Sequence, residues 1–202
     1  MRAAFDLTAE DPRLLDRYGR TLFGHSTLIG RRLVESGVRF VNVTWDLFWD
    51  RIKVDYDAWD THQRNFPILR ENKLPNFDHT VPGLLADLET RGLLDETLVV
   101  VSSEMGRKPR IGDPRSGGQS GAGRDHWTAC QSILLAGGGI RGGQVYGASD
   151  RRAEYPFDNV VGPEHIARTV YHAMAIDDLH AVDREGRPFH LLDDGRALTE
   201  LF

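Results

Sequence analysis

Two periods alternate along the chain, and each change of period marks an element. Leu28, Ile29, Leu33 and Val34 recur at helical spacing, which predicts a helix over roughly 21–35. A shorter helix precedes it, with Asp11 as its cap, Pro12 at its first position, and Leu14, Leu15 and Tyr18 on one face. Gly19 and Gly24 weaken the helical pattern between the two, and Gly37 is placed to close the longer one in the left-handed conformation. The run Val38–Trp45 is rich in β-branched and aromatic residues and reads as a strand. Val81, Leu84, Leu85 and Leu88 sit at i, i+3, i+4 and i+7, predicting a further helix capped by Asp78 or Thr80, with Pro82 in its first turn and Gly92 at its end. Thr97–Ser102 is almost continuously apolar, as in a strand covered on both faces, and Ser132–Ala136 reads as a third buried strand. Gly162-Pro163-Glu164 opens a helix with Ile166, Val170, Ala173 and Met174 on its stripe. Turn residues at 183–188 and 193–196 then predict a small hairpin and a docked final segment.

The order helix, glycine, strand is the unit of an α/β fold, a layered sheet with helices on both faces, here as one domain over residues 1–202. Three stretches fall outside the periodic pattern. Residues 46–76 are irregular and flanked or filled by Trp45, Phe48, Trp49, Tyr56, Trp59 and Phe66, which marks a stretch that is functional or partly helical. Residues 105–124 form a polar loop rich in glycine and arginine, and 137–147 hold tight turns.

Composition narrows the partners. An apolar share of 40% and a charged share of 27% suit a folded chain with polar loops. A net charge of -5, with the basic residues dispersed, argues against nucleic acid. The single cysteine, Cys130, excludes an internal disulfide and a cysteine zinc cage, and it reads as an inert thiol. No apolar run reaches membrane-spanning length, and the first residues lack the apolar segment of a signal peptide.

In an open α/β sheet, ligands collect beyond the carboxyl ends of the strands. Three such places carry chemistry. Asp60 and His62 put a carboxylate and an imidazole two residues apart, donors that zinc and manganese accept. Glu104 directly follows a predicted buried strand, where a carboxylate wants a metal, a proton or an arginine, with Arg107 nearest. Asp125 and His126 stand between Arg124 and Trp127, with Asp125 either a ligand or the partner that orients His126. His165 and His172 flank a helix stripe. The glycines at 137–143 lack the lysine and hydroxyl of a phosphate loop, and no Gly-x-Ser-x-Gly elbow is present. Thr44, Ser102 and Ser103 are nucleophile candidates by location alone.

The ordered motifs Arg32–Val41, Trp59-Asp60-Thr61-His62, Arg91–Val100, Glu104-Met105-Gly106-Arg107, Gly123-Arg124-Asp125-His126-Trp127, Leu135–Gly147 and Gly186-Arg187-Pro188 through Leu201-Phe202 together resemble the domain-of-unknown-function 1501 family. The resemblance covers nearly the whole chain. It implies an alkaline-phosphatase-like (sulfatase-like) fold, of which this chain is similar to the C-terminal half. It also implies a divalent metal, zinc first, with manganese, magnesium or calcium as alternatives. On that pattern Asp60, His62 and His126 match one metal site, and Glu104 stands where a second site has a paired carboxylate and histidine. Met105 replaces the second ligand there, and the superfamily's nucleophile comes from an N-terminal half. Arg107 and Arg124 are then the cations for a small anionic substrate, a phosphate or sulfate ester, and full family members often look exported. The expected activity is metal-dependent ester hydrolysis. The alternative is a non-catalytic member that binds an anionic ligand or a protein partner through the aromatic loop 45–66.

Overall fold

The computed structural model describes residues 2–45, 59–62, 64–112 and 123–202. The aromatic positions Phe48, Trp49 and Tyr56 lie outside them. The chain divides into two compact units, Met1–Leu93 with Arg110–Asp125, and Leu94–Pro109 with His126–Phe202.

The first unit is helical. Helix α1 (Pro12–Tyr18) starts as its sequence predicts, with the Asp11 carboxylate accepting from the Arg13 amide at 2.8 Å. Helix α2 (Leu22–Glu35) is capped by Thr21, whose hydroxyl accepts from the Gly24 amide at 3.0 Å. Gly24 does more than weaken a pattern. A Cβ there would lie 2.4 Å from the Tyr18 carbonyl, so the turn between α1 and α2 closes only over a glycine. Gly83 plays the same part where a later helix meets α1, with the Arg17 carbonyl 2.5 Å from a built Cβ.

Residues 65–76 are helical, the second of the two expectations for the irregular stretch. Helix α3 (Asn65–Ile68) runs through a π-helical turn (Leu69–Lys73) into α4 (Leu74–Thr90). Neither Asp78 nor Thr80 caps this helix; Pro82 lies inside it, where the missing amide was expected to mark a first turn. The apolar period fades before Val81, which is why the sequence placed the start too late.

Three helices meet on one buried carboxylate. Asp87 of α4 accepts from the Tyr18 hydroxyl at 2.9 Å and from Arg91 Nε at 2.9 Å, and it pairs with Arg31 Nε of α2 at 2.9 Å. Glu35 of α2 extends the network to Arg31 and, at 2.7 Å, to Arg91. Burial first, then the neighbouring Asp87 carboxylate, pushes the Tyr18 hydroxyl well above its usual range, so it stays a donor. Leu28, Val81 and Leu88 fill the apolar space around this network.

The predicted strand Val38–Trp45 forms no ladder among the described residues. It keeps the alternation of one: Val41, Val43 and Trp45 are half-buried while Asn42 and Thr44 are exposed. Val41 and Val43 pack over Gly30 of α2, where a Cβ would meet Val43 Cγ2 at 2.9 Å. Burial against a helix satisfies the alternation without supplying the partner hydrogen bonds that complete a strand.

The second unit carries four two-stranded antiparallel ladders. β1 (Val99–Val101) pairs with β4 (Leu134–Ala136), in the register Val100 opposite Leu135. β2 (Gly106–Arg107) pairs with β3 (His126–Trp127), β5 (Ala148–Ser149) with β6 (Pro156–Asp158), and β7 (His180–Val182) with β8 (Pro188–His190). The protein therefore mixes helices with small antiparallel sheets. The single layered sheet expected for it does not assemble among the described residues, and β1 is half-buried rather than covered on both faces. The glycines after β4 serve packing. A Cβ at Gly137 would lie 2.4 Å from the Thr97 carbonyl, so the turn slides under the start of β1 only without a side chain. Helix α5 (Pro163–Ala173) begins at Gly162-Pro163 as its sequence predicts. The final segment docks too: the Leu198 amide donates to Thr169 Oγ1 at 3.0 Å, and Leu198 and Leu201 are buried.

The three long helices end alike, and one ending is costly. After α2, α4 and α5 the chain closes in a Schellman motif, for example Gly37 N to Val34 O at 2.8 Å with Val38 N to Leu33 O at 3.0 Å. Glycine occupies the left-handed position at Gly37 and Gly92, but after α5 it is Ala175, with φ 57° and the same bond pair from Ala175 and Ile176. A Cβ in that conformation costs about 1 kcal/mol. Ala175→Gly is expected to raise stability by about 0.5–1 kcal/mol in urea unfolding; an equal or lower midpoint would refute this account of the cap.

A second stability prediction concerns acid. Arg196, then the Tyr146 hydroxyl, hold the Glu200 carboxyl down from its usual 4.5 to about 2. A depressed folded value gives stability that is present above about pH 4.5 and lost as pH falls towards 2. Glu200→Gln is therefore expected to lower the thermal midpoint at pH 7 and to make it less sensitive between pH 4.5 and 2. The carboxylate is solvent-exposed, so the effect is small.

Candidate metal centre

The ligand-bearing loop, residues 59–62, is tied from several sides within the first unit. Two short backbone bonds fold it, Thr61 N to Trp59 O at 2.9 Å and His62 N to Asp60 O at 3.1 Å. The Thr61 hydroxyl donates to Asn65 Oδ1 at 2.5 Å, and both residues are buried. Arg64 then adopts a left-handed conformation (φ 52°) that turns the chain into α3. The segment carrying Arg124 and Asp125 lies alongside, with a long bond from the Arg124 amide to the Thr61 carbonyl at 3.5 Å.

His62 is the centre of the group. Its Nε2 lies 2.9 Å from Asp60 Oδ1, and its Nδ1 lies 3.0 Å from Asp125 Oδ1. Asp60 is exposed, His62 half-buried, and Asp125 largely buried. Asp60, His62 and His126 each offer one ligand atom, all within 4.8 Å of one another. One carboxylate oxygen and two imidazole nitrogens make a donor set suited to zinc, and adjacent ligands on tetrahedral zinc stand about 3.3 Å apart for bonds of about 2.0–2.1 Å.

Asp125 takes the second of the two roles open to it, with a different imidazole. It orients His62 rather than His126, and it does not join the group of three. With Nδ1–H donated to Asp125, the lone pair of His62 faces Asp60 from Nε2, the arrangement that carboxylate–histidine–metal triads use.

The other expected residues separate. Glu104 is exposed and does not belong to the group. β1 ends at Val101, so Glu104 has already left the ladder and water solvates it. The hydroxyl of Ser103 contacts Met105 O at 2.8 Å and Gln131 Oε1 at 3.0 Å, and that of Ser102 donates to the Ser103 carbonyl. Arg107 stands directly across from His126 in the β2–β3 ladder, so both side chains leave it on one face. Gly106 in the same motif lets β2 approach the 130–131 backbone, since a Cβ there would lie 2.0 Å from the Cys130 carbonyl. Arg124 is half-buried. Asn65 was missed in the sequence, where no local pattern marks it as the partner of Thr61.

The family model described as Protein of unknown function (DUF1501) matches residues 1–202. The chain belongs to this family. No curated protein and no solved structure matches it. Among the described residues no helix is long and apolar enough to cross a membrane.

Asp125→Asn tests the orienting role. An amide can face His62 with its NH2 and upset the tautomer that leaves Nε2 free. Zinc affinity is expected to fall about 10–100-fold in calorimetric titration, with the thermal midpoint nearly unchanged. Wild-type affinity in this variant would remove Asp125 from the site.

Proposed function

We propose that the chain holds a divalent cation, zinc first, on Asp60, His62 and His126, and belongs to a metal-dependent hydrolase of phosphate or sulfate esters with an alkaline-phosphatase-like fold. The observation that carries this reading is the convergence of three donor atoms within 4.8 Å, one of them on an imidazole whose far nitrogen meets a carboxylate. Such a metal supplies a Lewis acid and lowers the pKa of a bound water. The chain's own groups do the rest. Asp60 and His126 are exposed, so an ester in solvent can reach them. Arg107, across the ladder from His126, offers a planar fork of donors for a phosphoryl or sulfuryl oxygen pair. Arg124, next to Asp125, adds positive charge on the same segment.

A second reading has one specific observation behind it. Glu104 is solvated and Met105 brings no second ligand, so a two-metal arrangement lacks its other half within these residues. The chain would then bind an anionic ester or partner without turning it over.

Metal analysis of the purified protein, beside His62→Ala and His126→Ala, is expected to show close to one equivalent of zinc in the wild type and a loss of at least 90% in both variants. Equal metal in all three would sink the site. Hydrolysis of aryl phosphates or sulfates that rises with added zinc and vanishes in both variants would support catalysis; metal binding without turnover would select the second reading.

A further inference from the structure

Lys73 is completely buried, with a relative exposure of 0%. Nothing in ester hydrolysis at Asp60 and His62 calls on it, yet its surroundings lead straight to those residues. The ammonium lies 4.9 Å from the centroid of the Trp45 ring and 5.7 Å from that of Trp59. Trp45 meets Trp59 edge to face at 5.0 Å and stacks on Phe23 of α2 at 4.1 Å. Trp59 is the residue before Asp60. A buried charge is expensive and persists only where its surroundings return much of the lost hydration. Two indole rings within about 6 Å are such surroundings, since their negative faces attract a cation.

The backbone explains how a lysine comes to point inward. Lys73 is the last residue of the π-helical turn Leu69–Lys73. A π turn accommodates an extra residue and rotates everything after it relative to a plain α-helix, and such bulges concentrate at functional sites. At the other end of the same helical run, Asn65 holds the Thr61 hydroxyl. Trp45 and Trp59 also bracket residues 46–58 in the chain, so their contact joins the two ends of that segment.

We infer that Lys73 is a positioning residue for the metal-ligand loop: its ammonium clamps the Trp45–Trp59 pair and thereby sets the direction in which Asp60 and His62 are presented. The inference rests on the metal reading of those two residues. It gives the loop three anchors, Trp59 on Lys73, Thr61 on Asn65 and His62 on Asp125. Lys73 touches neither the metal nor a substrate; it acts through Trp59.

The test uses the full chain, zinc alone as the probe, and near-ultraviolet circular dichroism of the tryptophans. Lys73→Met keeps an apolar stem and removes the charge, and Lys73→Arg restores a cation that stacks on indoles. The methionine variant is expected to bind zinc at least about tenfold more weakly, a loss typical of outer groups that orient ligands, with an altered tryptophan spectrum. The arginine variant is expected to recover most of both. Trp59→Leu, which leaves Lys73 in place, should show the same loss, and adding Lys73→Met to it should cost nothing more. Wild-type zinc affinity in Lys73→Met, or an undiminished Lys73→Met effect in the Trp59→Leu background, overturns the inference. If Lys73→Met does not fold, Trp59→Leu decides: unchanged affinity overturns, and a tenfold loss supports. If the wild type itself binds no zinc, the metal reading fails. The tryptophan spectrum of Lys73→Met then decides the clamp separately, and an unchanged spectrum overturns it.

Discussion

The buried carboxylate of Asp87 is the constraint on which the helical unit depends. It sits among Tyr18, Arg31 and Arg91, so α1, α2 and α4 share one electrostatic centre. Assembling such a network is close to neutral, because the lost hydration of the ions offsets most of their attraction. Breaking it is not neutral. An unpaired charge left at that depth costs about 3–5 kcal/mol, a large part of an ordinary domain's stability. The network thus acts less as a source of stability than as a selector of one helix arrangement. That arrangement fixes α4, and α4 is continuous with the π turn and α3. The helical run that Asp87 pins therefore carries Lys73 and Asn65, two of the groups that hold the ligand loop.

Local rules were legible where the signal was local. Asp11 and Pro12 start α1, Gly37 closes α2, Gly162-Pro163 opens α5, and each behaves as its chemistry demands. Errors arose where partners decide. Val38–Trp45 has strand composition and strand alternation, but α2 covers its inward residues and no strand pairs with it among the described residues. The apolar run before Ser102 does pair, in an antiparallel two-stranded ladder, because composition reports burial and not the number of neighbours. The start of the helix before Val81 was misplaced for a different reason: a π turn breaks the 3.6-residue period on which the reading rests.

The site was legible in its donors and not in its supports. Asp60, His62 and His126 could be named because metals take few side-chain types, and the structure gathers the same three. Asp125 was recognised as an orienting carboxylate but matched to its neighbour His126 instead of to His62, some sixty residues away in the chain. Neighbours in sequence are the natural guess for a partner, but Asp125 lies against His62 Nδ1. Glu104 was misjudged because a carboxylate after an apolar run looks buried, and the strand simply ends three residues before it.

What fills the space between Asp60 and His62 follows from charge. At 2.9 Å a carboxylate oxygen and an imidazole nitrogen share a proton; a zinc ion would hold the same two atoms about 3.3 Å apart. A divalent cation there would take the Nε2 lone pair of His62 while Nδ1 keeps its contact with Asp125, and His126 offers a further donor, all three ligand atoms lying within 4.8 Å of one another. The two states also differ in a way the molecule itself exposes: only the metal state loses its occupant when His126 is removed while Asp60, His62 and Asp125 stay in place.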